Sequence, residues 1–164
     1  MAQVNQHPET ALLLRVLDEA YDKKAWHGPN LKSTIRRLDA EHAAWRPSSN
    51  RHSIAEIVVH AAYWKYSVRR RLRGDSRGSF PFKGSNWFPP ANSLSEQEWR
   101  ECRDLLDTEH RTLRVAVAEF SPNRLHKIPP GSQVSFATLI YSVAHHDVYH
   151  AGQIQLLKKL QQED

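Results

Sequence analysis

The chain has 164 residues, of which 40% are hydrophobic and 25% charged, with a formal net charge of +5 and one cysteine, Cys102. These proportions exclude a disordered or fibrous chain, and the length suits one domain that buries roughly two-thirds of its unfolded surface. No apolar run approaches the roughly 18–20 residues of a membrane-spanning helix, and a lone cysteine cannot form an intramolecular disulfide. The opening MAQVNQHPETALLLRVLDEAYD lacks the charged-then-apolar layout of a signal peptide, so the cytoplasm is the expected compartment.

Apolar residues recur at helical spacing in four long segments, and none alternates as a strand would. The first predicted helix runs from about Glu9 to Ala25, with Leu13, Val16, Leu17, Ala20 and Tyr21 along one face. Gly28-Pro29-Asn30 interrupts it, and a shorter helical stretch follows over Leu31 to Leu38. The second long helix opens at Ser53, with Glu56 three residues on as in a capping box, and continues through IAEIVVHAAYWKYSVRRRL. Arg69, Arg70, Arg71 and Arg73 precede Gly74. Cations there complement the end of a helix, and an anion-attracting rim is the other role open to them.

The segment GDSRGSFPFKGSNWFPPANS comes next, too long for a tight turn. Its Phe80, Phe82, Trp87 and Phe88 are expected to anchor it across one end of the helices. The third helix begins at Ser95 and runs to about Phe120, its apolar face carrying Trp99, Cys102, Leu106, Leu113 and Val117. Cys102 reads as a buried, inert thiol. The fourth helix follows Pro129-Pro130-Gly131, with Ser132 or Ser135 as its cap, and reaches about Leu160. Four helices with one long crossover between the second and third predict an all-α four-helix bundle, a single domain over residues 1–164.

The fourth helix contains AHHDVYHAGQIQLLKKL. A helix turns by about 100° per residue, so His146 and His150 project together while His145 points elsewhere, toward the surface. The stripe Phe136, Leu139, Ile140, Val143, His146, His150, Ile154, Leu157 puts the pair in core-facing slots. Buried imidazoles need partners, and two of them four residues apart offer two nitrogens to one metal ion. His60, in the stripe Ile57, His60, Trp64 of the second helix, is a possible third ligand. Three histidines would leave a coordination position for water or substrate, as catalytic sites do.

HSIAEIVVHAAYWK, HDVYHAGQIQLLKK and WHGPNL resemble segments of the DinB/YfiT-like metalloenzymes, a superfamily of four-helix bundles with a three-histidine metal site. The resemblance follows the order of elements along essentially the whole chain. It implies that His60, His146 and His150 hold a divalent ion such as zinc or nickel. It also implies a chemistry, thiol-dependent transfer or isomerisation with bacillithiol or mycothiol, in which the metal favours the nucleophilic thiolate. Bundles of this family often pair, so a homodimer is a further expectation.

Around these residues, Asp147 reads as a solvated helix residue and Glu56 as a cap rather than a partner of His60. Gly152 marks either a close helix approach or simple tolerance, and Gln153 either orients a ligand or faces solvent. His27 in AWHGPNL stands at a helix break. It is a candidate general acid or base, its ordinary pKa of about 6.5 suiting proton transfer; packing under Trp26 is the alternative. The leading expectation is a metal-dependent enzyme acting on a small molecule, by transfer of an anionic low-molecular-weight thiol or by metal-assisted hydrolysis. A non-catalytic metal-binding bundle is the first alternative. A basic stress-related protein binding nucleic acid is the second, disfavoured because the arginines cluster at one helix end and no nucleic-acid motif is present.

Overall fold

A computed structural model describes residues 7–88 and 93–162. Four long helices, α1 (Pro8–Tyr21), α4 (Ile54–Arg73), α5 (Glu96–Ala118) and α6 (Phe136–Leu160), form the bundle. Two short helices, α2 (Leu31–Thr34) and α3 (Ala40–Ala44), lie between α1 and α4, and a 3-10 turn, Pro122–Arg124, precedes α6. Among the described residues every regular element is helical, with no strand. α4 packs on α5 and α6, and α1 packs on the same two, so the cyclic order is α1, α6, α4, α5.

Local chemistry sets the helix ends. Ser53 and Glu56 exchange backbone and side-chain hydrogen bonds in a capping box at the start of α4, and Gly74 ends that helix at a φ of 76°. Ser95 and Glu98 do the same for α5. Of the two serines expected to cap α6, Ser135 accepts from the Thr138 N–H. α1 stops at Tyr21, short of the expected Ala25, where the Asp22 and Lys23 N–H groups both donate to the Asp18 carbonyl. The stretch expected over Leu31 to Leu38 is helical only to Thr34, because Arg37 takes a φ of 63°. α3 carries no strong periodicity in its five residues; it forms because the Asp39 side chain accepts from the His42 N–H.

Two apolar clusters fill the bundle. One joins Ile54, Ile57 and Val58 of α4 to Trp99, Leu106 and Ile154. The other joins Leu13 and Leu17 of α1 to Leu113, Val117, Phe136 and Ile140. Between them runs a band of buried polar side chains that includes His60, Lys65, His110, Asp147 and His150.

The crossover after α4 does not cap a bundle end. It runs back along α4, with Gly78 and Ser79 at Tyr66, Asn86 at His60 and Trp87 against His52. The aromatic spacing explains the path: Phe80 and Phe88 pack on Tyr63, and Phe80 also meets Tyr66. Pro89, Pro90, Ala91 and Asn92 of the expected loop lie outside the described residues.

Candidate metal centre

His60 projects from α4 and His146 and His150 from adjacent turns of α6, and the three rings meet where α4 and α6 face each other. His60 and His150 are buried, and His146 is half-buried. Trp87 of the crossover closes one side, stacked between His52 and His60 with ring centroids 3.6 and 3.9 Å away. Trp64 closes another, in T-shaped contact with both His60 and His146.

The Nε2 atoms converge. His146 Nε2 lies 3.0 Å from His60 Nε2 and 3.0 Å from His150 Nε2. The outer nitrogens of two rings are committed elsewhere. His60 Nδ1 is 2.7 Å from the Asn86 carbonyl, which can only accept, so this nitrogen carries the proton. His150 Nδ1 is 2.6 Å from Gln153 Oε1, and the same amide donates to the Tyr149 hydroxyl, which fixes its orientation. In the neutral rings both Nε2 atoms therefore present lone pairs to the shared point. His146 has only one proton to offer. On Nε2 it serves one neighbour and leaves Nδ1 bare; on Nδ1 it leaves three lone pairs facing one another. Nδ1 is buried and has no partner among the described residues.

Burial is the chief reason that these imidazoles hold protons weakly. It pushes His146 down to about 3 and His150 down to about 4, and it lowers His60 as well. Repulsion between the rings adds to the effect at His146 and His150. All three are neutral at pH 7, the form that ligates metal.

A cation resolves the convergence of lone pairs. Metal–imidazole bonds of about 2.0–2.1 Å separate two ligand nitrogens by about 2.9 Å at a right angle and about 3.3 Å in a tetrahedron. The observed 3.0 Å separations fall in this range. The hydrogen bonds from both Nδ1 atoms to fixed acceptors are the outer support that ligating histidines require. Among the described residues no other histidine, cysteine or carboxylate joins the group, so the donor set fits a divalent ion with coordination positions left over.

The remaining candidate residues sort by position. His145 is exposed, as expected. Glu56 serves the cap, with Arg46 and His52 close to its carboxylate, and makes no bond to His60. Cys102 is buried, and burial pushes its thiol up to about 11, which leaves it inert at neutral pH. A Cβ on Gly152 would meet nothing within 4 Å, so no close helix approach requires this glycine. His27 sits in the exposed turn between α1 and α2, outside the imidazole cluster, and Trp26 beside it is fully exposed rather than packed over it.

Asp147 overturns its expectation. It is fully buried, and its carboxylate pairs with the equally buried Lys65 of α4. An aspartate that reads as solvated surface and a lysine that the sequence does not single out offset one another's charge inside the bundle. Lys65 also lies 3.5 Å from His110 Nδ1, and His110 stacks on Tyr21, whose hydroxyl donates to Asp107.

Sequence reasoning missed Asn86, Lys65 and His110. Asn86 takes a φ of 68°, a conformation that asparagine tolerates better than most residues. That turn aims its carbonyl at His60 while its side chain accepts from the Trp64 indole N–H at 3.1 Å. The only signal was an asparagine in a glycine- and serine-rich loop. Nothing linear connects it to a residue 26 positions earlier.

Fold and site together define a helical bundle whose facing helices carry three converging imidazoles. Residues 23–154 match the family model of the DinB superfamily. The chain belongs to the DinB superfamily, and its three-histidine cluster is compatible with a divalent-metal site. Comparisons with curated proteins and with solved structures give no significant match.

Proposed function

We propose that the protein is a divalent-metal enzyme in which His60, His146 and His150 hold one ion, zinc or nickel, and a small molecule reacts at its remaining coordination positions. The observation that carries this reading is the meeting of three imidazoles, His146 Nε2 lying 3.0 Å from the Nε2 atoms of both His60 and His150, while those two rings have their Nδ1 atoms held by acceptors. A structural staple would close the coordination sphere with a fourth side chain; the three-member group supports a reactive site instead.

The ion supplies Lewis acidity, which favours the thiolate of a thiol or the hydroxide of a water at neutral pH. The chain's own residues prepare the site for it. Asn86 and Gln153 fix the ring orientations and tautomers of His60 and His150. Trp64 and Trp87 wall the site with apolar surface, which strengthens electrostatic interactions inside it. The reaction we favour is transfer of an anionic low-molecular-weight thiol to a small electrophile, with metal-assisted hydrolysis as the other use of the same site. A cytoplasmic location suits it, because a reducing compartment keeps a thiol substrate reduced.

The test is elemental analysis of protein purified without a histidine tag, alongside His60→Ala and His146→Ala. One equivalent of metal in the parent and loss from both variants is the expected result; stoichiometric metal in both variants ends the reading. Conjugation of low-molecular-weight thiols to an electrophilic dye, before and after chelation, then separates transferase from hydrolase.

A further inference from the structure

A cavity of about 570 Å³ lies between α4 and the returning crossover. Arg70, Arg71, Arg77 and Lys83 line it, with Tyr63, Trp64, Tyr66 and Phe80 as apolar walls, and no carboxylate is among its lining residues. Four cations surround one concave space whose wall, among the described residues, holds no carboxylate; Asp75, whose carbonyl meets Arg70, has its carboxylate 4.0 Å from Arg69 instead. A second cavity, of about 600 Å³, shows the contrast: its Lys32, Arg36, Arg100 and Arg103 face Asp22, Asp104 and Asp107.

The cations here keep donors to spare. The Arg70 guanidinium gives one hydrogen bond to the Asp75 carbonyl, and Arg71 bonds to Ser67. Each guanidinium has five N–H donors. Burial and the neighbouring Arg70 and Arg77 lower the pKa of Arg71, as expected where like charges are crowded. Arg77 and Lys83 are exposed at the mouth.

The cavity adjoins the imidazole cluster. Trp64 lines it and also makes T-shaped contacts with His60 and His146, with centroids 6.4 and 6.3 Å away. Ser85, another lining residue, immediately precedes Asn86, whose carbonyl holds His60. The two sites share Trp64 as a wall, so a molecule that reaches round this indole from the imidazoles would place a charged tail among the arginines.

We propose that this cavity is an anion subsite that receives the carboxylate or phosphate tail of the small molecule on which the neighbouring imidazole site acts. The substrate role rests on the metal-enzyme reading; the affinity for anions does not. The volume lies within the roughly 300–1,000 Å³ of small-ligand pockets, whereas a nucleic-acid strand needs a basic groove that tracks its backbone over about four or more nucleotides. Aromatic walls beside the guanidinium groups suit a tail attached to an apolar or planar body.

The experiment titrates inorganic pyrophosphate and malonate into metal-free and zinc-loaded protein by calorimetry. It compares the parent with Arg70→Gln/Arg77→Gln and with the loop pair Arg77→Gln/Lys83→Gln. Expected are anion binding with and without zinc, a weakening of about tenfold or more in the first variant, a smaller weakening in the second, and one zinc per chain throughout. A preference for pyrophosphate assigns a phosphorylated tail, and a preference for malonate a carboxylate one; either supports the subsite. Unchanged affinity in both variants overturns the proposal, as does anion binding that disappears with the zinc, since the anion then sits on the ion. A single-stranded oligonucleotide that displaces pyrophosphate with a steep salt dependence overturns the small-molecule assignment. Protein that binds the anions but no zinc refutes the metal-enzyme reading and leaves the subsite standing.

Discussion

Consecutive residues of α6 serve two polar clusters of opposite character. His146 joins His60 and His150 in a set of three neutral donors of one kind, while Asp147 meets Lys65 in a pair of opposite charges. Both clusters lie between the same two apolar cores, and both cost desolvation. The ion pair supplies most of its own compensation from within the chain. Burial pushes the Asp147 carboxyl up to about 6, Lys65 opposes that shift, and the group is ionised at pH 7. The imidazoles have no such partner, and their lone pairs meet. Self-complementary polar groups hold a bundle together, whereas groups that share one unmet need mark a place for something the chain does not contain.

The largest effect expected from breaking this contrast is at the ligands. His146→Ala should take bound metal from one equivalent to near none, measured by elemental analysis, while far-UV circular dichroism shows the helices intact. Removing one partner of the buried ion pair should act the opposite way, on stability. Lys65→Ala leaves Asp147 uncompensated and should cost about 3–5 kcal/mol in urea unfolding. Lys65→Met with Asp147→Leu should recover most of that loss; a double variant as unstable as the single one would mean that the pair does more than neutralise itself.

Gln153→Ala removes the acceptor of His150 Nδ1, along with a bond to the exposed Tyr149 hydroxyl, and should weaken metal affinity by about 10–100-fold, read by competition with a chelating dye. Asn86 sharpens the same point. Asn86→Gly keeps the left-handed turn and the carbonyl, so its affinity should stay closer to the parent than that of Asn86→Val, in which a β-branched residue is forced to a positive φ.

The pH dependence is a gentler probe. His146 and His150 have folded pKa values of about 3 and about 4, and that of His110 is lowered too, burial being the main cause in each. A histidine in the unfolded chain titrates near 6.5. Below that pH the unfolded state binds more protons than the folded one, so stability present above about pH 6.5 should fall progressively toward pH 4. Zinc should shift the loss to lower pH, because it binds the neutral rings; urea midpoints with and without zinc give the measure. The smallest effect belongs to His27. His27→Ala should leave metal content and unfolding unchanged, so a lost limb in a pH–rate profile would assign it proton transfer without ambiguity.

The helices were legible because capping and periodicity are local. Ser53-x-x-Glu56 and Ser95-x-x-Glu98 set two helix starts within four residues each, and Gly74 set an end. The convergence of His146 and His150 followed from helix geometry alone, and His60 from its place in the stripe of α4. The depth of that stripe was not legible: His146 is half-buried while Asp147 takes the central slot. Hydropathy scores a residue by its own solvation, so it cannot see that a lysine 82 positions away makes an aspartate burial-competent. Gln153 could be named but not explained until its distance to His150 showed it as the acceptor that holds the ring.

The sequence by itself determined an all-helical bundle and the inward-facing histidines, since these depend on spacing within one helix, and its resemblance to known segments added the family. Only the tertiary structure decided that the crossover returns along α4. That return carries the Asn86 carbonyl to His60, lays Trp87 over the ring and gathers four cations around a cavity beside the site. The physical reason is that a loop's path is fixed by which aromatic anchors find room on the helices, a property of the assembled surface rather than of any short stretch of chain.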